Sequence, residues 1–194
     1  MEYSLRFDSN IHALWNETIA VFLGYLKSNN FPILTSETVK DETNGEITVA
    51  VNRVVYRAHI QRSGQVRGLM LLKSKNRFRQ FCSFADVKPL KGDKRSIENF
   101  YNNLLAKKET RTKLEKVRQL KGRQRLLPED SDMTILSEAI SLKNKDTLVV
   151  FISKDEDFCQ FSQEIQNQFG IIILQVQNLL SFKDELEKKK KAVN

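Results

Sequence analysis

Apolar residues recur along this chain with two different periods, and the alternation between them outlines its elements. Tyr3-Ser4-Leu5-Arg6-Phe7 running into Asp8 predicts a strand over 3–8. Ile11, Leu14, Trp15, Ile19, Phe22, Leu23 and Leu26 fall at helical spacing and predict a helix over 11–28, ended by Asn29-Asn30. Phe31-Pro32-Ile33-Leu34 predicts a short second strand, and Ser36 an N-cap for a helix holding Val39 and Glu42. Near the other end, Asp130 or Ser131 is expected to cap a helix with Ile135, Leu136, Ala139 and Ile140 on one face. A strand over 147–152, a helix over 154–168, Gly170 as its stop and a strand over 171–174 follow. The last helix, about 176–190, is expected to fray into a solvated tail at Lys188–Lys191. Continuous apolar strands separated by helices argue for an α/β fold with one parallel sheet covered on both faces.

The middle of the chain has a different character. Ile47, Val51, Val54, Val55 and Ala58 keep a helical period over 46–61 although several are β-branched. Ser63-Gly64 breaks that run, and Val66–Lys73 is compatible with helix or strand. Lys88–Lys94, with Pro89 and Gly92, is expected to be an exposed loop. One long helix is expected over 96–120, burying Ile97, Phe100, Tyr101, Leu104, Leu105 and Leu114, before a basic linker bounded by Gly122 and Pro128.

Charge sharpens this division. The net charge of +8 over 194 residues conceals 21 Lys and Arg against 6 Asp and Glu between Thr43 and Pro128. The flanks are acidic, with 11 basic residues against 18 acidic ones. A basic centre of this size favours a polyanion, because neutralising phosphates releases counterions; solvated helix faces explain the same charges without a partner. No apolar run approaches a membrane span and no signal-peptide pattern opens the chain, so a cytoplasmic location is expected. Cys82 and Cys159 have no motif spacing and are expected as free thiols.

The acids of the flanks stand where a parallel fold gathers ligands, at and beyond strand ends. Asp8 ends the first strand, Glu42 lies on the helix after the second, Asp132 opens a helix, and Asp155 follows the run Leu148–Ile152. Carboxylates held together repel unless cations neutralise them, and oxygen-only donors suit Mg²⁺ or Mn²⁺. Such ions activate water and stabilise the leaving oxygen of a phosphodiester. This chemistry needs no histidine, which fits a chain with only His12 and His59. Each acid also has a purely structural role open to it. Asp132 suits the helix dipole, Ser153-Lys-Asp-Glu156 fits a capping box, Asp8 is placed to cap a helix, and Glu42 to lie on a solvated face.

Four segments carry a resemblance. Phe7-Asp8-Ser9-Asn10-Ile11 resembles the opening Asp-Thr/Ser-Asn motif of PIN-domain nucleases. Ser36-Glu-Thr-Val39-Lys-Asp-Glu42 looks like the second motif of that family, Asp132-Met-Thr-Ile135-Leu136-Ser-Glu-Ala139 the third, and Ser153-Lys-Asp155-Glu-Asp157-Phe158 the fourth. The resemblance covers about 1–45 and 128–185, in the family's order. It implies a three-layer α/β/α sandwich around a central parallel sheet, a single PIN-like domain over 1–194, and a Mg²⁺- or Mn²⁺-dependent nuclease, usually acting on RNA. By the same resemblance, Asp8, Glu42, Asp132 and Asp155 form the acidic quartet. Asp157 joins or supports the metal site, and Ser9, Asn10 and Ser153 orient the acids. A toxin of a toxin–antitoxin pair is one role within the family. The basic, mostly helical insertion at 46–127 departs from compact PIN toxins.

Within that insertion, Arg53, Arg57, Arg62, Arg67, Lys73, Lys75, Arg77 and Arg79 are expected to line a groove leading to the acids, with Arg111, Lys113, Lys116, Arg118, Lys121, Arg123 and Arg125 in a second basic stretch suited to phosphate positioning. Phe78 and Phe81 are interleaved with the first group, as stacking platforms for bases or as core. Expected partners are RNA, with DNA as the alternative, an antitoxin or other acidic protein, and a second copy of the chain. The competing expectation is an inactive PIN-like module that binds nucleic acid or protein.

Overall fold

The structure, a computed structural model, describes residues 17–57, 63–83 and 85–193. The expected first strand, with Asp8, Ser9 and Asn10, lies outside the described residues, as does Arg62. The described residues form a mostly helical α/β protein with two separate two-stranded parallel sheets. The single central sheet expected from the flanks is therefore not what the described strands make. One sheet pairs β1 (Leu34–Ser36) with β2 (Asp86–Lys88), and the other pairs β3 (Val150–Ser153) with β4 (Ile172–Gln175). The reason lies in β2. Its sequence, Asp-Val-Lys, carries one apolar residue, and its last residue, Lys88, was expected to open an exposed loop, yet it supplies the partner of β1. The described residues cluster in two compact units, one reaching Lys88 and resuming at Leu179, the other spanning Pro89–Asn178.

In the first unit, α1 (Glu17–Ser28) and α9 (Leu179–Val193) pack together. Phe22 meets Phe182 with ring centroids 6.4 Å apart, and the Lys183 ammonium stands 5.2 Å over the Tyr25 ring. The lysine run expected to fray is helical, and Lys190 donates to Asn29 Oδ1 at 2.8 Å. The next helix, α2 (Glu37–Arg57), starts as expected, with Ser36 Oγ accepting from Val39 N at 3.2 Å. It then runs unbroken through Gly45, so the two helices expected around 36–61 are one. Its buried Ile47, Val51 and Val55 bear out the helical period, and the last two pack with Met70 and Leu71 of α3 (Ser63–Cys82). That helix settles the open reading of 66–73.

The second unit begins with α4 (Lys94–Ala106) and α5 (Lys108–Lys121). One helix was expected there, and the chain breaks it at Lys107, which is extended at φ −100°, ψ 129°. The Thr110 hydroxyl turns back to the Leu104 carbonyl, closing the helix end that the break leaves open. The expected stripe is buried all the same: Ile97, Phe100, Tyr101, Leu104 and Leu114 enter the core, with Leu105 packed against it. Next comes α6 (Asp130–Ser141), whose N-cap is Glu129 without a side-chain bond rather than Asp130 or Ser131. The helix expected over 154–168 is two, α7 (Glu156–Cys159) and α8 (Ser162–Phe169), and Gly170 closes the second at φ 69°. Together α7 and α8 form the crossover that parallel β3 and β4 require.

Around these elements Tyr101, Leu114, Leu136, Phe161, Ile165 and Ile171 are wholly buried. The Tyr101 ring packs edge-on to Phe161 at 5.9 Å and 84°, a favoured aromatic geometry. The loop before α4 lies directly on α6: a Cβ built on Gly92 would overlap the backbone carbonyl of Ser137. Backbone cannot rotate away as a side chain can, so Gly92→Ala is expected to lower stability by about 1–3 kcal/mol. Thermal unfolding measures this, and an unchanged midpoint would show that the loop does not press on α6. Among the described residues no helix is long and apolar enough to cross a membrane. Cys82 and Cys159 are free, as expected.

Candidate functional site

Three carboxylates from two separate segments converge in the second unit. Asp132 lies in the first turn of α6. Asp155 follows β3 after Lys154 and is the N-cap of α7, its Oδ1 accepting from Asp157 N at 2.8 Å. Asp157 lies in the same short helix and is 0% exposed. Each offers an oxygen within 4.8 Å of the others. Ser153 Oγ accepts from Asp155 N at 3.0 Å, and the N-cap is Asp155 itself rather than Ser153 as a Ser153–Glu156 capping box would have it.

Between the carboxylates stands a cation that the chain itself supplies. The Lys121 ammonium, at the end of α5, donates to Asp132 Oδ2 at 3.2 Å, to Asp155 at 3.1 and 3.0 Å, and to Asp157 Oδ2 at 2.7 Å. Gly122 follows at φ 63°, ending α5 in the left-handed conformation that glycine adopts freely. Beyond this turn Arg123 comes back to Asp157. Its Nη2 donates to Oδ1 at 2.7 Å and its Nη1 to Oδ2, while Leu126 O and Arg125 O accept from Nη2 and Nε at 2.9 and 3.1 Å. A paired, hydrogen-bonded carboxylate is the form in which a buried charge is tolerated. Three carboxylates against two cations leave the cluster one net negative charge.

The groups titrate accordingly. Burial works against the Lys121 ammonium, but hydrogen bonds to Asp157 and Asp155 and the charges of Asp132 and Asp157 outweigh it and raise its pKa above the ordinary lysine range. Burial also pushes the Asp132 carboxyl above its usual value, with Lys121 opposing and Asp155 adding to the shift. Burial and then the charges of Asp157, Asp132 and Asp155 hold the Tyr101 phenol well up, so it remains the donor to the Asp157 carbonyl at 2.7 Å. Burial with the Glu156 and Asp155 charges lifts the Cys159 thiol to about 11, which excludes a reactive thiolate at neutral pH.

The other expected site residues are distributed differently. Glu42 lies on α2 in the first unit, with Arg53, Arg67, Lys73 and Arg79 exposed on α2 and α3 and Lys75 half-buried there. Arg67 Nε donates to Asn52 Oδ1 at 2.6 Å across the two helices. Arg57 and Arg77 are on these helices too. Phe78 is buried, which makes it core rather than a stacking platform. In the second unit Arg125 is exposed, Arg118 half-buried, and the side chain of Arg123, expected to meet nucleic acid, is 7% exposed against Asp157. Lys121 was expected only within a basic stretch facing phosphate, and Tyr101 only in a buried stripe, neither as a partner of the acids. Nothing in their local sequence separates Lys121 from its basic neighbours, and Tyr101 reads only as part of a buried stripe.

The donor set of Asp132, Asp155 and Asp157 is oxygen only, which fits a hard divalent cation such as Mg²⁺ or Mn²⁺. Comparisons with protein-family models, with curated proteins and with solved structures find no match to this chain.

Proposed function

We propose that this protein is a Mg²⁺- or Mn²⁺-dependent nuclease that hydrolyses phosphodiester bonds, with RNA as the preferred substrate. The observation that carries this reading is the meeting of Asp132, Asp155 and Asp157 beyond the carboxyl end of a parallel strand. Bound there, a divalent ion supplies Lewis-acid stabilisation and an acidified water. The chain does the rest. Asp155 is held by the Ser153 hydroxyl and by its own cap bond, and Asp157 by the Arg123 guanidinium, so the acids are fixed before any ligand arrives. Arg53, Arg67, Lys73 and Arg79, exposed on α2 and α3 in the first unit, suit phosphate contacts without base recognition. Asp8, outside the described residues, and Glu42, in the first unit, are candidates on the PIN-like resemblance alone and carry no part of this reading.

Incubation of the purified protein with single-stranded RNA, duplex RNA and DNA across a Mn²⁺ titration tests the reading. Cleavage that requires the ion and stops on chelation is the expected result. Turnover that is indifferent to metal, or absent from all three substrates, would sink it. The second reading, an inactive module that binds nucleic acid or an acidic protein, is favoured by one feature: Lys121 and Arg123 already neutralise most of the cluster. RNA binding without turnover supports that alternative.

A further inference from the structure

We propose that the Lys121 ammonium is the resident counter-cation of the Asp132–Asp155–Asp157 cluster, and that a divalent ion enters only by displacing it. The inference rests on the cluster being the cation site proposed above, and concerns how the chain itself guards that site. Lys121 makes four contacts of 3.2 Å or less to all three carboxylates, so it already occupies the volume between them. An ammonium and a divalent ion cannot share that volume, since both need the same oxygens and repel each other.

The two cations of the cluster differ in how easily they leave. The Arg123 side chain is 7% exposed, bound to Asp157 through two nitrogens and to two backbone carbonyls. The Lys121 side chain is 26% exposed, holds only carboxylates, and is a flexible four-carbon stem at the last residue of α5. Withdrawing it breaks no backbone contact and returns a strongly hydrated group to water. Withdrawing Arg123 would leave a buried charge and two carbonyls without their donors. Lys121 is therefore the displaceable cation, and Arg123 the fixed one that keeps Asp157 in place in either state.

Two measurements decide the matter, neither of them activity. In the wild-type protein, reductive methylation read by peptide mass spectrometry should modify Lys121 slowly without metal and about tenfold faster with saturating Mn²⁺. Lys113, paired with Glu164 at 2.9 Å away from the cluster, should keep its rate and serves as the reference. By calorimetry, Lys121→Gln should bind Mn²⁺ about tenfold tighter than wild type, because no internal cation opposes the ion. Mn²⁺ binding that leaves the Lys121 rate unchanged, or equal affinities in the two proteins, overturns the displacement while the metal site stands. If neither protein binds Mn²⁺, the metal reading itself fails and the displacement falls with it.

Discussion

Asp157→Ala is expected to destabilise the protein by about 3–5 kcal/mol, the range found when one partner of a buried ion pair is removed. The effect arises from what stays behind. Arg123 keeps its bonds to Leu126 O and Arg125 O but loses both carboxylate oxygens, leaving a nearly enclosed guanidinium without a counter-charge. Lys121 loses its 2.7 Å partner as well and retains only Asp132 and Asp155. The Tyr101 hydroxyl bonds to the Asp157 backbone carbonyl, which alanine also provides, so the loss reports the side chain alone. Urea unfolding measures it. A companion with Arg123→Met added to Asp157→Leu should recover much of the loss, since replacing a buried pair by apolar residues of similar bulk is often neutral. A loss below about 1 kcal/mol in Asp157→Ala would show that the pair is solvated.

Asp155→Asn is expected to abolish metal-dependent cleavage, by at least about 100-fold, with folding retained. Asparagine is as good an N-cap as aspartate, and its Oδ1 can still accept from Asp157 N, so α7 should start as before. What the variant lacks is one negative charge in the donor set. Circular dichroism alongside the cleavage assay separates the two effects. A folded variant with wild-type turnover would remove Asp155 from the site and leave it only the cap.

That double position of Asp155 shows how far the sequence reaches. An acid after a strand and before a helix is legible from Leu148–Ile152 and the capping pattern that follows. Whether it caps a helix or belongs to a charged cluster is not, and in this protein it does both. Helical periods were equally legible: Ile47, Val51 and Val55 are buried where the spacing put them, in spite of their β-branched side chains. The break at Lys107 was not, because Leu-Leu-Ala-Lys-Lys-Glu is made of good helix formers. The stop comes from an extended Lys107 and the bond of Thr110 back to Leu104.

Strand pairing was illegible for a related reason. A four-residue apolar run predicts a strand without saying which strand lies beside it. The partner of β1 is Asp86-Val87-Lys88, a segment with no strand signal, because hydrogen bonds in a ladder come from the backbone and place little demand on side chains.

From the sequence alone come the helical faces, the acids at strand and helix boundaries, and a centre rich in positive charge. Only the tertiary structure decides which positive charge answers which acid. Lys121 is 11 residues from Asp132 and 34 from Asp155, one of many lysines and arginines at similar remove. Local periodicity records which face of a helix is buried, since that is set by neighbours three and four residues away. An ion pair between distant segments depends on where two helix ends and a strand end come together in space, and no local spacing encodes that.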